Sequence, residues 1–488
     1  LGTLGSSAVT AAGLAIQTAL AAIVAVVAGH EFGRSATTDG FNATYGVFIV
    51  VSFAAAAIRV AVMPALARAR QERRLGSEAA AYGLTMTGLA LPLLALALAA
   101  SGPVAWLITG AGPATARDVA ADCLPWMVVA AVLQLFTGLA ASSLAALDNY
   151  AIAAGGYALG SAVGLAYILL RVHPDGISAI PRGMALNGAV ALVVPVLALA
   201  LRALAERMPA VAVRPSQFSF RARTAEIANC VSLPMVMQFI YLICLALAAR
   251  QGVGAQTSFN YAYLIVAAVV TMTGSSLSLV SSVPLTRIGL DVARTARHVI
   301  ALSWLAIVAI GACAGVFGLA GGRVVRALLG SAYGADIGSQ LGLLVVVLSL
   351  WAIASVAFSV TFPLMFVAER SRRLSLLALA ALLAHVPIAL LAVLVGGLEG
   401  LAVALALTTA LVVAALLFEL GALRPAARGL AIAALTAGVT AGVTFLLPRL
   451  VLGPFSAAAL GCALYIGVLI AVRPKGLSEA WGYLRRLA

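Results

Sequence analysis

The chain has 488 residues, 63% of them hydrophobic and 9% charged, with a mean hydropathy of +1.11. A soluble protein of this length has no way to cover so much apolar surface, which excludes soluble enzymes and disulfide-stapled secreted domains. The formal net charge of +14, from 30 Lys+Arg against 16 Asp+Glu, sits in the gaps between apolar stretches and belongs to membrane topology; no nucleic-acid partner is expected.

Fourteen apolar stretches follow one another along the chain, at 8–29, 41–66, 82–109, 119–146, 150–171, 184–205, 225–249, 258–284, 299–320, 341–366, 374–395, 400–420, 429–447 and 452–472. Backbone polar groups inside a bilayer must be satisfied within their own segment. Stretches apolar on every side are therefore helices rather than barrel strands. The first stretch has no basic residues before it and is read as a retained helix, not a cleaved signal peptide. The predicted fold is thus an all-α polytopic membrane protein of about fourteen transmembrane helices.

Arginine placement orients these helices. Alternate gaps hold 21 basic residues against 8 in the others, with Arg59 left inside the second span. The basic gaps face the cytoplasm, which places both termini there. Five cysteines, at 123, 230, 244, 313 and 462, stand singly in or near apolar segments without a CxxC pair. They read as small core residues.

The chain resembles itself at a shift of about 218–220 residues. Phe41-Asn42-Ala43 matches Phe259-Asn260-Tyr261, Pro64 matches Pro284, Gly110 matches Gly330, Asp118 matches Asp336, and Asp148 falls beside Glu369. The shift spans six helices, so the two units share one orientation. The expected organisation is an N-lobe over 1–205, a cytoplasmic crossover linker over 206–224, a C-lobe over 225–420, and two further helices with a cytoplasmic tail over 421–488. Substrate sites lie at such repeat interfaces, and access alternates as the lobes rock.

Several residues stand out against this apolar background. Arg59 lies within the second span, where a cation is costly unless paired or wetted, and a guanidinium grips phosphate bidentately. A structural pair or a snorkelling side chain is the competing reading. Arg34 and Asp39 flank the turn before the second span, as a gate or coupling acid on one reading; the other, slightly favoured, makes Thr38 and Asp39 helix caps. Asn229, Gln238 and Tyr241 fall in the seventh span with Pro234 and either line a cavity or bond between helices. Asn260 and Ser275 belong to the eighth span, whose serines (275, 276, 278, 281 and 282) make it polar as a cavity-facing or tightly packed helix would be. Gly156, Gly160 and Gly164 give the fifth span a face for close packing. No nucleotide-binding loop and no metal-ligand cluster occurs, so no cofactor is expected and the energy would come from the membrane potential or an ion gradient.

The stretch Phe32-Gly33-Arg34-Ser35-Ala36-Thr37-Thr38-Asp39-Gly40-Phe41 resembles the F-G-x-x-x-x-T-D-x-F turn of the MurJ/MviN lipid II flippase family. Met63-Pro64-Ala65-Leu66 is similar to that family's V-P-x-L, and the run from Gly254 to Ala262 to its turn into the eighth helix. The resemblance implies membership of the multidrug/oligosaccharidyl-lipid/polysaccharide exporter superfamily. It further implies flipping of an undecaprenyl-pyrophosphate-linked glycan across the bacterial cytoplasmic membrane by alternating access, without enzyme chemistry. A groove for the polyprenyl tail at the last two helices, and a regulatory partner in cell-wall synthesis, would accompany that role; the oligomeric state is left open.

The chain also departs from the family. Residues 50–59 lack its basic pair and A-E-G-A motif, and Tyr263-Leu264 replaces an acid–Arg pair. This thins the cationic cavity and widens the expected cargo to other lipid-linked glycans. The alternatives are a multidrug or polysaccharide exporter of the same superfamily and a non-transporting scaffold.

Overall fold

The computed structural model describes residues 19–110, 112–147, 149–205, 219–275, 291–330, 333–368, 370 and 373–487. Every regular element among them is helical. They divide into two compact units between Gln256 and Thr257.

The first unit contains α1 (Ala19–Phe32), α2 (Ala36–Gln71), α3 (Leu75–Ala99), α4 (Ser101–Ile108), α5 (Ala114–Ala146), α6 (Tyr150–Asp175), α7 (Ala179–Ala205) and α8 (Phe220–Ala248). The predicted third span is two helices, because Ala100 leaves helical geometry at φ −127°, ψ 29°. At the centre lies α5, packed on α2, α3, α4, α6 and α7. Its second half is rich in small residues, and the buried hydroxyls of Thr137, Ser142 and Ser143 bond carbonyls one turn back in their own helix. Polar side chains are thereby buried without a partner on another helix. Gly160 and Gly164 lie against Asn187 and Gly183 of α7, so the fifth span does use its small face for close approach. Packing assigns α8 to this unit through contacts with α2, α3 and α4, although the repeat counts it as the opening helix of the second lobe.

The chain continues through α9 (Ala255–Val270), whose first two residues close the first unit. A π-turn over Thr271–Ser275 ends the described part of that span. Within the second unit follow α10 (Val292–Leu329), α11 (Ala335–Val367), α12 (Leu374–Glu419), α13 (Leu423–Arg449), α14 (Pro454–Val472) and α15 (Lys475–Leu487). The predicted eleventh and twelfth spans are the halves of α12, separated by non-helical Gly396 and Gly397. Gly397, at φ 53°, adopts a backbone conformation that favours glycine. Taking α3 with α4 as one span and α12 as two, the described helices fall in each of the fourteen predicted apolar segments, in the first and eighth only over their described part. Large apolar side chains such as Leu170 (77% exposed) and Val395 (92%) point outward. That suits hydrocarbon rather than water.

The second unit is organised around α10, which touches α11, α13, α14 and α15. Its crossing with α11 is glycine on glycine: a Cβ on Gly321 would stand 2.7 Å from the Cα of Gly342, and one on Gly338 would stand 2.6 Å from the carbonyl oxygen of Gly322. Phe445 of α13 lies between Gly315 and Gly461. The repeat pair Gly110 and Gly330 both follow a helix, each with positive φ (58° and 92°). Pro284, Asp148 and Glu369 lie outside the described residues, as do 206–218 of the predicted crossover.

Gly342→Val should force α10 from α11 at a cost of about 1–3 kcal/mol. The expected outcome is a thermal unfolding midpoint several degrees lower in detergent, measured beside Gly438→Val, where no neighbouring atom lies within 4 Å of the added carbon.

Candidate functional site

Two short turns of the first unit meet at one peptide. The turn into α2 is fixed by Ser35, whose side chain accepts the Thr38 N–H at 3.3 Å. Thr38 then donates to the Gly33 carbonyl at 2.8 Å. Ser35 is therefore the cap. The favoured reading of Thr38 and Asp39 as caps is corrected because the helix begins at Ala36, ahead of both. Asp39 is freed for another contact: its buried carboxylate accepts the Gly254 N–H at 2.6 Å. Arg34 donates its Nε–H to the Gly254 carbonyl at 3.0 Å. An acid and a base, five residues apart, thus hold both polar groups of one residue in the α8–α9 turn.

Gly254 has φ 79°, and a Cβ there would collide with the Arg34 side chain. Glycine is required both by the backbone and by the space. Two residues on, Gln256 donates to the carbonyl of Ile108 at the end of α4, at 3.4 Å. The turn entering α9 is thereby fastened to α2 and α4.

The far end of α8 is also held. Arg223 contacts Glu78 of α3 at 2.5 Å and Glu226 at 3.5 Å. Its guanidinium lies 4.5 Å from the centre of the Tyr82 ring, and Tyr82 donates to Glu226 at 3.2 Å. Between these ends α8 packs flat on α2, where a Cβ on Gly46 would meet Leu242 and Leu245 within 3 Å.

The sequence candidates scatter around this frame. Arg34 and Asp39 converge on Gly254. Tyr241 is fully buried and Gln238 nearly so on α8, whereas Asn229 is exposed. Asn260 is buried in α9 within the second unit. The backbones of Arg59 and Ser275 belong to α2 and the π-turn, and their side chains lie outside the described set. Sequence reasoning missed Gly254 as the partner of the first turn, Gln256 as the partner of Ile108, and the Arg223 cluster. The signal for Gly254 was present in the repeat, which aligns the two turns. His385, singled out as a lone histidine, contacts Thr408 across the two halves of α12 at 2.8 Å and is fully buried.

The second unit carries two grooves. One, of about 470 Å³, runs between α10, α11 and α13, lined by Ile310, Ala314, Val346, Ala437 and Phe445, with Ser349 and Arg449 as its polar members. The other, about 710 Å³, lies where α11, both halves of α12 and α13 meet, beside the 2.8 Å Arg373–Glu419 ion pair. The first groove draws on α13, and none of its lining residues comes from α14.

No protein-family model matches the chain, and no curated protein matches it in sequence. Solved structures do. A lipid II flippase MurJ in an inward closed conformation aligns with a TM-score of 0.74 at 13% identity, covering 95% of this chain and 98% of that one. An inward-facing multidrug resistance MATE family transporter of the MOP superfamily aligns with a TM-score of 0.60 at 16% identity, covering 86% and 99%. A MOP superfamily transporter from Pyrococcus furiosus aligns at 0.56 with 15% identity, covering 86% and 95%. The chain therefore has the polytopic helical fold that these membrane transporters share.

Replacing Asp39 by Ala removes a charged acceptor from a buried N–H, a loss of about 1.5–3 kcal/mol. Amide hydrogen exchange at residues 252–256 should accelerate at least tenfold, a change worth about 1.4 kcal/mol, while the α5 amides stay protected. Gly254→Ala should loosen the same segment.

Proposed function

We propose that this protein is a flippase that moves an undecaprenyl-pyrophosphate-linked glycan precursor, lipid II or a related molecule, across the bacterial cytoplasmic membrane by alternating access. Both termini would face the cytoplasm. The observation that carries this reading is the MurJ-like fold, aligned over 95% of the chain where the multidrug transporter covers 86%. The larger coverage is what two spans beyond a six-plus-six repeat would give. The turn at residues 32–41 adds a local likeness in sequence.

The parts then take roles. Arg59, a cation within a long apolar helix, supplies the phosphate grip. Asn229, Gln238, Tyr241, Asn260 and Ser275 are the further candidates for contact with the cargo. The apolar groove on α10, α11 and α13 suits a polyprenyl chain, with Arg449 at its polar end. The Asp39–Gly254–Arg34 clamp serves as an outer latch, closed in this structure and opened once per cycle. A latch of two charge-assisted hydrogen bonds is strong enough to define a state and weak enough to release. Energy comes from the membrane potential or an ion gradient. The thinned basic pattern over 50–59 extends the cargo class beyond lipid II.

Complementation tests the reading. In bacteria depleted of their own lipid II flippase, the wild-type chain is expected to restore growth, Arg59→Ala to abolish rescue, and Asp39→Ala to reduce it. A well-expressed wild-type protein that fails to rescue removes lipid II from the cargo class. Failure to flip any undecaprenyl-pyrophosphate glycan in proteoliposomes overturns the flippase reading in favour of a drug exporter or scaffold.

A further inference from the structure

The last helix, α15, is not a loose tail. It begins three residues after α14 ends at Val472, across a turn in which Arg473 adopts a left-handed backbone (φ 44°). Gly476, Leu477, Ala480 and Tyr483 recur at helical spacing and form one face. Gly476 abuts the Trp304 indole of α10, Ala480 is fully buried, and the Tyr483 hydroxyl lies 2.9 Å from Nδ1 of His298. These contacts fix α15 beside residues 298–304, where the apolar run of α10 begins. For a helix that crosses a bilayer, the start of its apolar run marks the boundary between hydrocarbon and headgroups.

The rest of the helix has the composition of a surface-lying segment. Lys475, Ser478, Glu479 and Trp481 are exposed, Trp481 by 54%. From 473 to 487 the chain carries Arg473, Lys475, Arg485 and Arg486 against Glu479 alone. Arg297, one turn into α10, is exposed on the same unit. An amphipathic helix lying in the interface, with a tryptophan at headgroup depth and a net positive charge, is drawn to anionic lipid.

We propose that α15, together with Arg297, is a docking surface for anionic phospholipid headgroups, with Trp481 at the level of the glycerol backbones. The bilayer is the occupant that charge and position favour, since Arg473, Lys475 and Trp481 are exposed beside the start of an apolar span and Arg485 and Arg486 extend the basic run in sequence. The assignment requires the membrane-spanning fold. It borrows the topology proposed above only to name the cytoplasmic leaflet, and it is independent of the cargo.

The test uses the full chain in nanodiscs whose phosphatidylglycerol or phosphatidylcholine is brominated in its acyl chains near the headgroup. The readout is the tryptophan emission lost in Trp481→Phe. Brominated phosphatidylglycerol is expected to quench that component about twofold more than brominated phosphatidylcholine at equal content, from the attraction of basic residues to anionic lipid. K475Q/R485Q/R486Q should erase the difference while leaving overall quenching in place. Should that variant misfold, K475Q with R297Q should halve it. Equal quenching by both lipids, or an unchanged preference in the variants, overturns the proposal. So does a Trp481 that neither lipid quenches, the result expected of a face covered by an acidic protein partner. A protein that flips nothing but passes this test leaves the lipid surface intact and removes only the flippase reading.

Discussion

Hydrocarbon offers no hydrogen bonds, and this constraint shapes the whole molecule. Each peptide group in a span must be satisfied by its own helix, so the chain has one regular element available and varies only in where that element breaks and how closely its copies approach. Close approach is set by small residues. Gly321 and Gly338 let α10 and α11 cross with almost no side chain between them, and Gly160 and Gly164 do the same for α6 and α7. With no hydrophobic drive between helices in lipid, such contacts supply dispersion energy that bulkier residues would forfeit.

Breaks in the helices are where polar chemistry enters. The turn between α8 and α9 exposes the N–H and carbonyl of Gly254, and Asp39 and Arg34 satisfy both. Gln256 satisfies the carbonyl that α4 leaves free at Ile108. Across the break in α12, Thr408 meets His385. Charged and polar side chains that look like functional candidates in an apolar sequence thus serve backbone and neighbours first. In the proposed cycle the same bonds become a switch, because a latch made of replaceable hydrogen bonds has two discrete states.

Much of this was legible in the sequence, and the misses have physical causes. Apolar length located the fourteen segments, and glycine and aspartate matches pointed to the repeat, of which Gly110 and Gly330 both have positive φ. The break at Ala100 was passed over because the apolar run continues on both sides of it, although Ser101-Gly102-Pro103 marks the turn. The cap fell to Ser35 rather than Thr38 and Asp39 because the helix starts beyond the hydropathy boundary, in a polar stretch where hydropathy is silent. Asp39's partner lies 215 residues away, and no local pattern reports such a distance. Hydropathy also passed over α15: its apolar face is one side of a short polar helix.

The placement of α8 bears on how alternating access would be divided along the chain. Repeat symmetry makes this helix the first of the second six, with the crossover over 206–224 as the natural joint. Packing assigns it otherwise: Arg223 ties its start to Glu78, the Asp39–Gly254–Arg34 bonds hold its end, and Leu242 and Leu245 fill the space over Gly46 between them. A helix fixed at both ends and along its middle moves with its unit. The boundary between compact units accordingly falls after Gln256, two residues beyond the clamp. The two ends of one helix are thus held by different chemistry, backbone hydrogen bonds at Gly254 and an ion cluster at Arg223, although the repeat alone gives no reason to distinguish them.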